Sequence, residues 1–145
     1  MKLTNYLTKE WKSGHQIGLF LLRATLAFAL LYGHGFQKLA NIITGQEIKF
    51  MDPIGIGAIP SYYMAAFAEG ICAILVVAGL FSRFATLILS INFLVVVGFH
   101  ASSGDGFDML ELPIIYLAAF VAFTLTGPGN ISLDNKLFKR KTSFY

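Results

Sequence analysis

Cysteine is nearly absent from this chain, with Cys72 alone among 145 residues. An intramolecular disulfide, a Cys-x-x-Cys redox pair and a multi-cysteine zinc or iron–sulfur site are therefore excluded. Thiol chemistry would rest on one sulfur inside an apolar segment, where cysteine ordinarily behaves as a small hydrophobe. Charge is scarce too, at 13% Asp, Glu, Lys and Arg against about 25% in soluble domains. Of three histidines, none falls in an H-x-x-x-H or H-E-x-x-H spacing, so no metal site is read from the sequence. Two histidines with two carboxylates as metal ligands, and His34 with His100 as axial haem ligands, would be the remaining metal-centre options, but neither histidine lies mid-helix in the expected spans. No internal repeat or low-complexity segment is evident.

What fills the chain is hydrocarbon. Hydrophobic residues make up 56% and the mean hydropathy is +0.67, a membrane-protein composition. About 20 helical residues cross a bilayer core, and four apolar runs approach that length, at about 16–33, 61–81, 84–99 and 109–126. The expected fold is all-α: a single integral membrane four-helix bundle over residues 1–145. The first run resembles a signal peptide, since Ala27-Phe28-Ala29 has the A-x-A form, but Arg23 within it and Leu30-Leu31 beyond argue against cleavage. Only Ser82-Arg83 separates the second and third runs, so they form an antiparallel hairpin. A long Gly/Pro-rich connection runs from His34 to Pro60, and Ser61 is placed to cap the second helix. Pro113 sits in the first turns of the fourth run, where a missing N–H costs least. Gly127-Pro128-Gly129 ends that run, and a short interfacial segment comes after it.

Lys and Arg are distributed unequally between the connections. Lys2, Lys9, Lys12, Arg83, Lys136, Lys139, Arg140 and Lys141 lie in the two tails and the short turn, whereas the two longer loops hold only Lys38 and Lys49. The positive-inside rule puts both termini in the cytoplasm of a multi-pass inner (plasma) membrane protein. The net charge of +3 thus reflects topology, and no nucleic-acid partner is implied. Trp11, Tyr6, Tyr62 and Tyr63 fall near span ends, as interfacial belts require, and the other Phe rings are expected to face lipid. Ala65, Ala66, Ala68, Gly70 and Ala73 in the second span, and Ala118, Ala122 and Thr126 in the fourth, offer small-residue stripes for close helix packing.

Against this background five ionisable residues stand out: Arg23 and Glu69 within spans, and His34, His100 and Glu111 at span ends. An intramembrane charge costs roughly 3 to more than 10 kcal/mol, so it is normally paired or faces a polar cavity. Arg23 and His34 are eleven residues apart, which at 100° per residue places them within about 20° on one helix face. Arg23 lies about 15 Å and Glu69 about 12 Å below the outer ends of their helices. An Arg23–Glu69 pair across neighbouring helices is the leading expectation, with His34, His100, Glu111 and Lys38 around a vestibule above it. Each has a plain alternative: the ion pair fixes register only, His34 closes a helix C-terminus, and Glu111 completes a capping box with Asp108.

His34-Gly35-Phe36-Gln37-Lys38-Leu39 resembles the H-G-x-x-K-L signature of the DoxX family of small four-helix membrane proteins. Ile59-Pro60, Ala65-Ala66 with Glu69, Gly79-Leu80-Phe81-Ser82-Arg83, His100, Glu111 and the ending Gly127 to Asp134 fit as well, so the resemblance runs from about Ile17 to Leu137. It implies a subunit of a membrane oxidoreductase. The family name is shared by a thiosulfate:quinone oxidoreductase subunit, but this chain lacks a second cysteine for thiosulfate chemistry. The resulting expectation is an oxidoreductase subunit that binds a quinone or similar small molecule in an outer-half polar pocket. Quinone is the candidate cofactor, and whether the chain is itself catalytic stays open. Arg23, Glu69, His34, His100 and Glu111 are the candidate catalytic residues, and Arg23, Glu69 and Lys38 the candidate quinone ligands. Partners would be the lipid bilayer, a soluble or membrane redox protein and a second copy of the chain. A small-solute binding or transport protein and a non-catalytic assembly subunit remain the alternatives.

Overall fold

A computed structural model describes residues 11–138; Lys2, Tyr6, Lys9, Lys139, Arg140 and Lys141 lie outside the described residues. Four helices are long and apolar enough to cross a membrane, and no strand occurs among the described residues. Helix α1 joins Lys12–Leu30 to Phe36–Thr44 through a π turn at Leu31–Gly35. Helix α2 joins Ala58–Ala66 to Ala73–Ala78 through a second π turn at Phe67–Cys72. Helix α3 is Ser82–Ser103, α4 is Phe107–Thr126, and the short α5 is Leu133–Phe138. Each spanning helix packs along the next in sequence, while α1 and α4 lack a comparably close seam.

The helices overrun the boundaries expected from hydropathy. α1 continues through His34 to Thr44, where Gly45 adopts the left-handed conformation that closes a helix (φ 65°), and α3 continues past His100 to Ser103. Neither histidine ends its helix. Backbone hydrogen bonds within α1 cost nothing at the membrane edge, so polar residues such as Gln37, Lys38 and Asn41 extend the helix rather than break it. Ser61 lies inside α2, not at its cap. No side chain caps α4, whose N-cap is Gly106, so the Asp108–Glu111 capping box does not form.

Small residues give α2 its tight packing: Ala65, Ala66, Ala68, Gly70 and Ala73 are all buried. The stripe expected on α4 does not serve this purpose, because Ala118, Ala122 and Thr126 are exposed. Aromatics pack there instead. Phe93 of α3 stacks on Tyr116 of α4 at 5.0 Å and on Phe120 at 5.9 Å. Lipid offers no hydrophobic drive for helices to associate, so these large, well-fitted rings contribute through dispersion. Phe93, Phe120 and Phe123 thereby leave the lipid surface for the core. Thr124 adds a hydroxyl bond to Thr86 of α3 at 2.9 Å.

The 45–57 connection is tied down by one carboxylate. Asp52 accepts from the Gly57 and Ile56 N–H groups at 2.8 and 2.9 Å and from the Ser61 hydroxyl at 3.1 Å. Led by the Gly57 bond, these contacts outweigh desolvation and hold the Asp52 pKa below its ordinary 3.8. A carboxylate with a depressed folded pKa stabilises above its unfolded value, and the contribution fades as pH falls through the folded one. The loop is therefore expected to loosen below about pH 4. Hydrogen exchange at the Ile56 and Gly57 amides should report this, and Asp52→Asn should remove the pH dependence.

Candidate functional site

Gly35 and Gly70 bring α1 and α2 into contact. A Cβ at Gly35 would collide with the backbone carbonyl of Glu69, and one at Gly70 would lie 2.7 Å from the Leu39 side chain. Both positions lie in or beside the paired π turns, a distortion frequent at functional sites. Close approach lets Lys38, one turn beyond Gly35, reach across to Glu69. Its Nζ donates to Glu69 Oε2 at 2.6 Å, and Nδ2 of Asn92 on α3 donates to Oε1 at 3.1 Å. Glu69 is only 6% exposed, so each carboxylate oxygen needs such a donor.

Two cavities meet at this carboxylate. One, of about 430 Å³, occupies the loose side of the bundle between α1, α3 and α4, and His34, Lys38, His100, Asp108 and Tyr116 line it beside apolar walls. The other, of about 170 Å³, lies between α2 and α3, with Glu69, Asn92, His100 and Ser61 as its polar groups. Glu69, His100, Val96, Phe50 and Met51 line both. The last two come from the loop that Asp52 anchors. His100 Nδ1 lies 2.7 Å from Asp105 Oδ2, an arrangement that fixes the ring at the cavity edge. Among the described residues no group of three or more His, Cys, Asp or Glu side chains could hold a metal ion.

Arg23 is elsewhere, and the expected Arg23–Glu69 pair does not form. Its Nη1 and Nη2 donate to the carbonyls of Pro128 and Ile131 at 2.9 and 3.0 Å, at the opposite end of the bundle. Gly79 makes room for the guanidinium; a Cβ there would lie 2.5 Å from Nη1. Asp134 completes this end by accepting from the Phe81 and Ser82 N–H groups at 2.7 and 2.9 Å. These two bonds cap α3 and hold Phe81 in the left-handed region (φ 47°). Gln16 Oε1 accepts from Asn130 N–H at 2.8 Å.

Arg23 and Glu69 lie at different depths because α1 does not end at His34. With α1 reaching Thr44, Arg23 lies about 31 Å below its end, whereas Glu69 lies about 16 Å from the start of α2. The shared Arg23–His34 face fails for a second reason: a π turn intervenes, and its extra residue rotates the later part of the helix by about 100°. Arg23 is buried and His34 exposed. Glu111 is exposed and lines neither cavity. Thus the structure brings together Glu69, Lys38, His34 and His100, and leaves out Arg23 and Glu111. Asn92 and Tyr116 escaped the sequence reading and Asp108 was read only as a helix cap, although an amide flanked by Ile91 and Phe93 was a legible signal.

The DoxX family pattern matches residues 18–101. An uncharacterised protein of Haemophilus influenzae is 35% identical over 130 residues, covering 84% of this chain and 92% of that protein. A second from the same organism is 29% identical over 132 residues, covering 87% of each. No solved structure matches the chain.

Two substitutions probe the two ends. Lys38→Met is expected to cost about 3–5 kcal/mol by leaving Glu69 buried without its counter-ion, and Lys38→Met with Glu69→Met much less; thermal unfolding in detergent measures both. Arg23→Met should release the Pro128–Ile131 segment and expose it to limited proteolysis, with the Lys38–Glu69 end unaffected.

Proposed function

The chain belongs to the DoxX family, and from that premise we propose that it is a membrane-embedded oxidoreductase subunit that binds a quinone against the Lys38–Glu69–Asn92 cluster. The observation that carries this reading is a hydrogen-bonded ion pair buried within the spanning helices where two cavities meet. Intramembrane charges so placed mark pathways for ligands or protons.

Reducing a quinone to a quinol consumes two electrons and two protons. The electrons come from a redox partner protein, and the protons need a relay into an apolar site. Glu69 is the proton-transferring group beside the ring. Lys38 holds its carboxylate and stabilises negative charge developing on a quinone oxygen. His34, His100 and Asp108, along the larger cavity, connect Glu69 to the aqueous phase. Arg23 and Glu111 drop out of this mechanism, Arg23 because it lies about 20 Å along α1 from Lys38.

Orientation follows from charge. Arg83 and Lys136 lie at the end of the bundle where α1 begins, and the 45–57 and 104–106 connections lie at the other. The positive-inside rule then supports cytoplasmic termini in the inner membrane, with the larger cavity opening outward.

Purified protein is expected to bind a quinone analogue, read as a rise in melting temperature or as co-purified quinone in native mass spectrometry. Glu69→Gln should weaken that binding about tenfold or more, because the charge-assisted hydrogen bond that holds Lys38 in the cluster is lost. A folded wild-type protein that neither carries nor binds quinone, yet takes a polar solute into proteoliposomes, would replace this reading with transport.

A further inference from the structure

The two cavities differ in what surrounds them. The larger sets His34, Lys38, His100 and Asp108 among apolar walls, and these four side chains suit water and protons. The smaller is walled by Met64, Ala65 and Ala68 of α2 and by Ile88, Ile91 and Val95 of α3, with Glu69 and Asn92 at one end and Ser61 and His100 at the loop end. Its wall residues Met64 and Ile91 are 57% and 52% exposed on the outer face of spanning helices. That face borders hydrocarbon, so this cavity opens sideways into lipid. The Phe50–Ile54 segment covers its loop end, held there by Asp52.

Its polar floor has a definite chemistry. Glu69 is already neutralised by Lys38 from the other cavity, so the floor carries no uncompensated charge to attract a phosphate or carboxylate headgroup. Asn92 must direct its Nδ2 to the carboxylate, which only accepts. Its Oδ1 therefore faces away from Glu69, and no donor among the described residues meets it. A small, neutral head bearing a hydroxyl would satisfy that acceptor, and a hydrocarbon chain attached to it would lie between Met64 and Ile91.

We propose that the α2–α3 cavity is a lipid-side slot for the isoprenoid tail of the quinone-class ligand, with Asn92 Oδ1 accepting the hydroxyl of its reduced, quinol form. This rests on the quinone reading above and adds to it the route of entry, the position of the tail and a residue that distinguishes quinol from quinone. Ligand and protons then reach Glu69 from opposite sides: the ligand from the bilayer, the protons through the water-side cavity.

The test uses the full-length protein in nanodiscs with two quinols, one tail-less and one bearing a long isoprenoid chain. Met64→Trp and Ile91→Trp, which fill the mouth without touching the polar cluster, should weaken the long-tailed ligand at least tenfold and the tail-less one less than twofold. Equal losses for both ligands, or no loss for either, would overturn the slot. A photoreactive group on the tail, used with unmodified protein, should label Met64, Ile88 or Ile91; labelling of Leu30 or Leu112 instead places the tail in the other cavity and overturns it as well. Asn92→Leu should lower quinol affinity about tenfold more than it lowers quinone affinity, and equal losses for the two redox states would remove Asn92 from telling them apart. Failure of the wild-type protein to bind the tail-less ligand in either redox state refutes the underlying quinone reading itself.

Discussion

One contact between helices sets the rest of this structure: the backbone crossing of α1 and α2 at Gly35 and Glu69, closed one turn later by the 2.6 Å bond between Lys38 and Glu69. A carboxylate buried among apolar helices must be paired, or its desolvation opposes folding. Lys38 can reach it only because Gly35 has no side chain to hold the helices apart. Asn92 then draws α3 to the same carboxylate. Three of the four spanning helices are thus referred to one side chain, and both cavities end there. The fourth helix joins through rings, with Tyr116 and Phe120 against Phe93.

The two ends of the bundle handle buried charge differently. At Glu69 a counter-ion is present and space is left beside it, the arrangement expected of a site. Around Arg23 the guanidinium is occupied by the carbonyls of the returning chain, and Gly79 is cut away to fit it. Asp134 caps α3 from the same returning segment. That end is a clasp, fastening the tail beneath the α2–α3 turn. The glycines of the two ends mark the difference: Gly35 admits a backbone, Gly79 admits a side chain.

Much of the fold was legible in residues, because a bilayer leaves few options. Four apolar runs become four helices, since nothing else satisfies a backbone in hydrocarbon. The Ser82-Arg83 separation makes α2 and α3 neighbours. The candidate site was half legible: Glu69 inside a span and Lys38 in the H-G-x-x-K-L run both belong to it. Arg23 misled, because its charge was noticeable but its partners are backbone carbonyls, which leave no mark in a sequence. Glu111 misled because four residues past the start of α4 its direction depends on the helix's rotation, not its depth.

The sequence by itself determined an all-α membrane bundle, the number of its spans, its basic end and the residues whose charges demand partners. Hydropathy is a property of composition, and the cost of a bare charge in lipid does not depend on fold. Only the tertiary structure decided which partner each charge takes. Pairing depends on helix rotation and depth, and these were set by two π turns and by an α1 that runs on to Thr44. A single extra residue in a turn redirects everything beyond it, and no count along the chain reveals where that residue is.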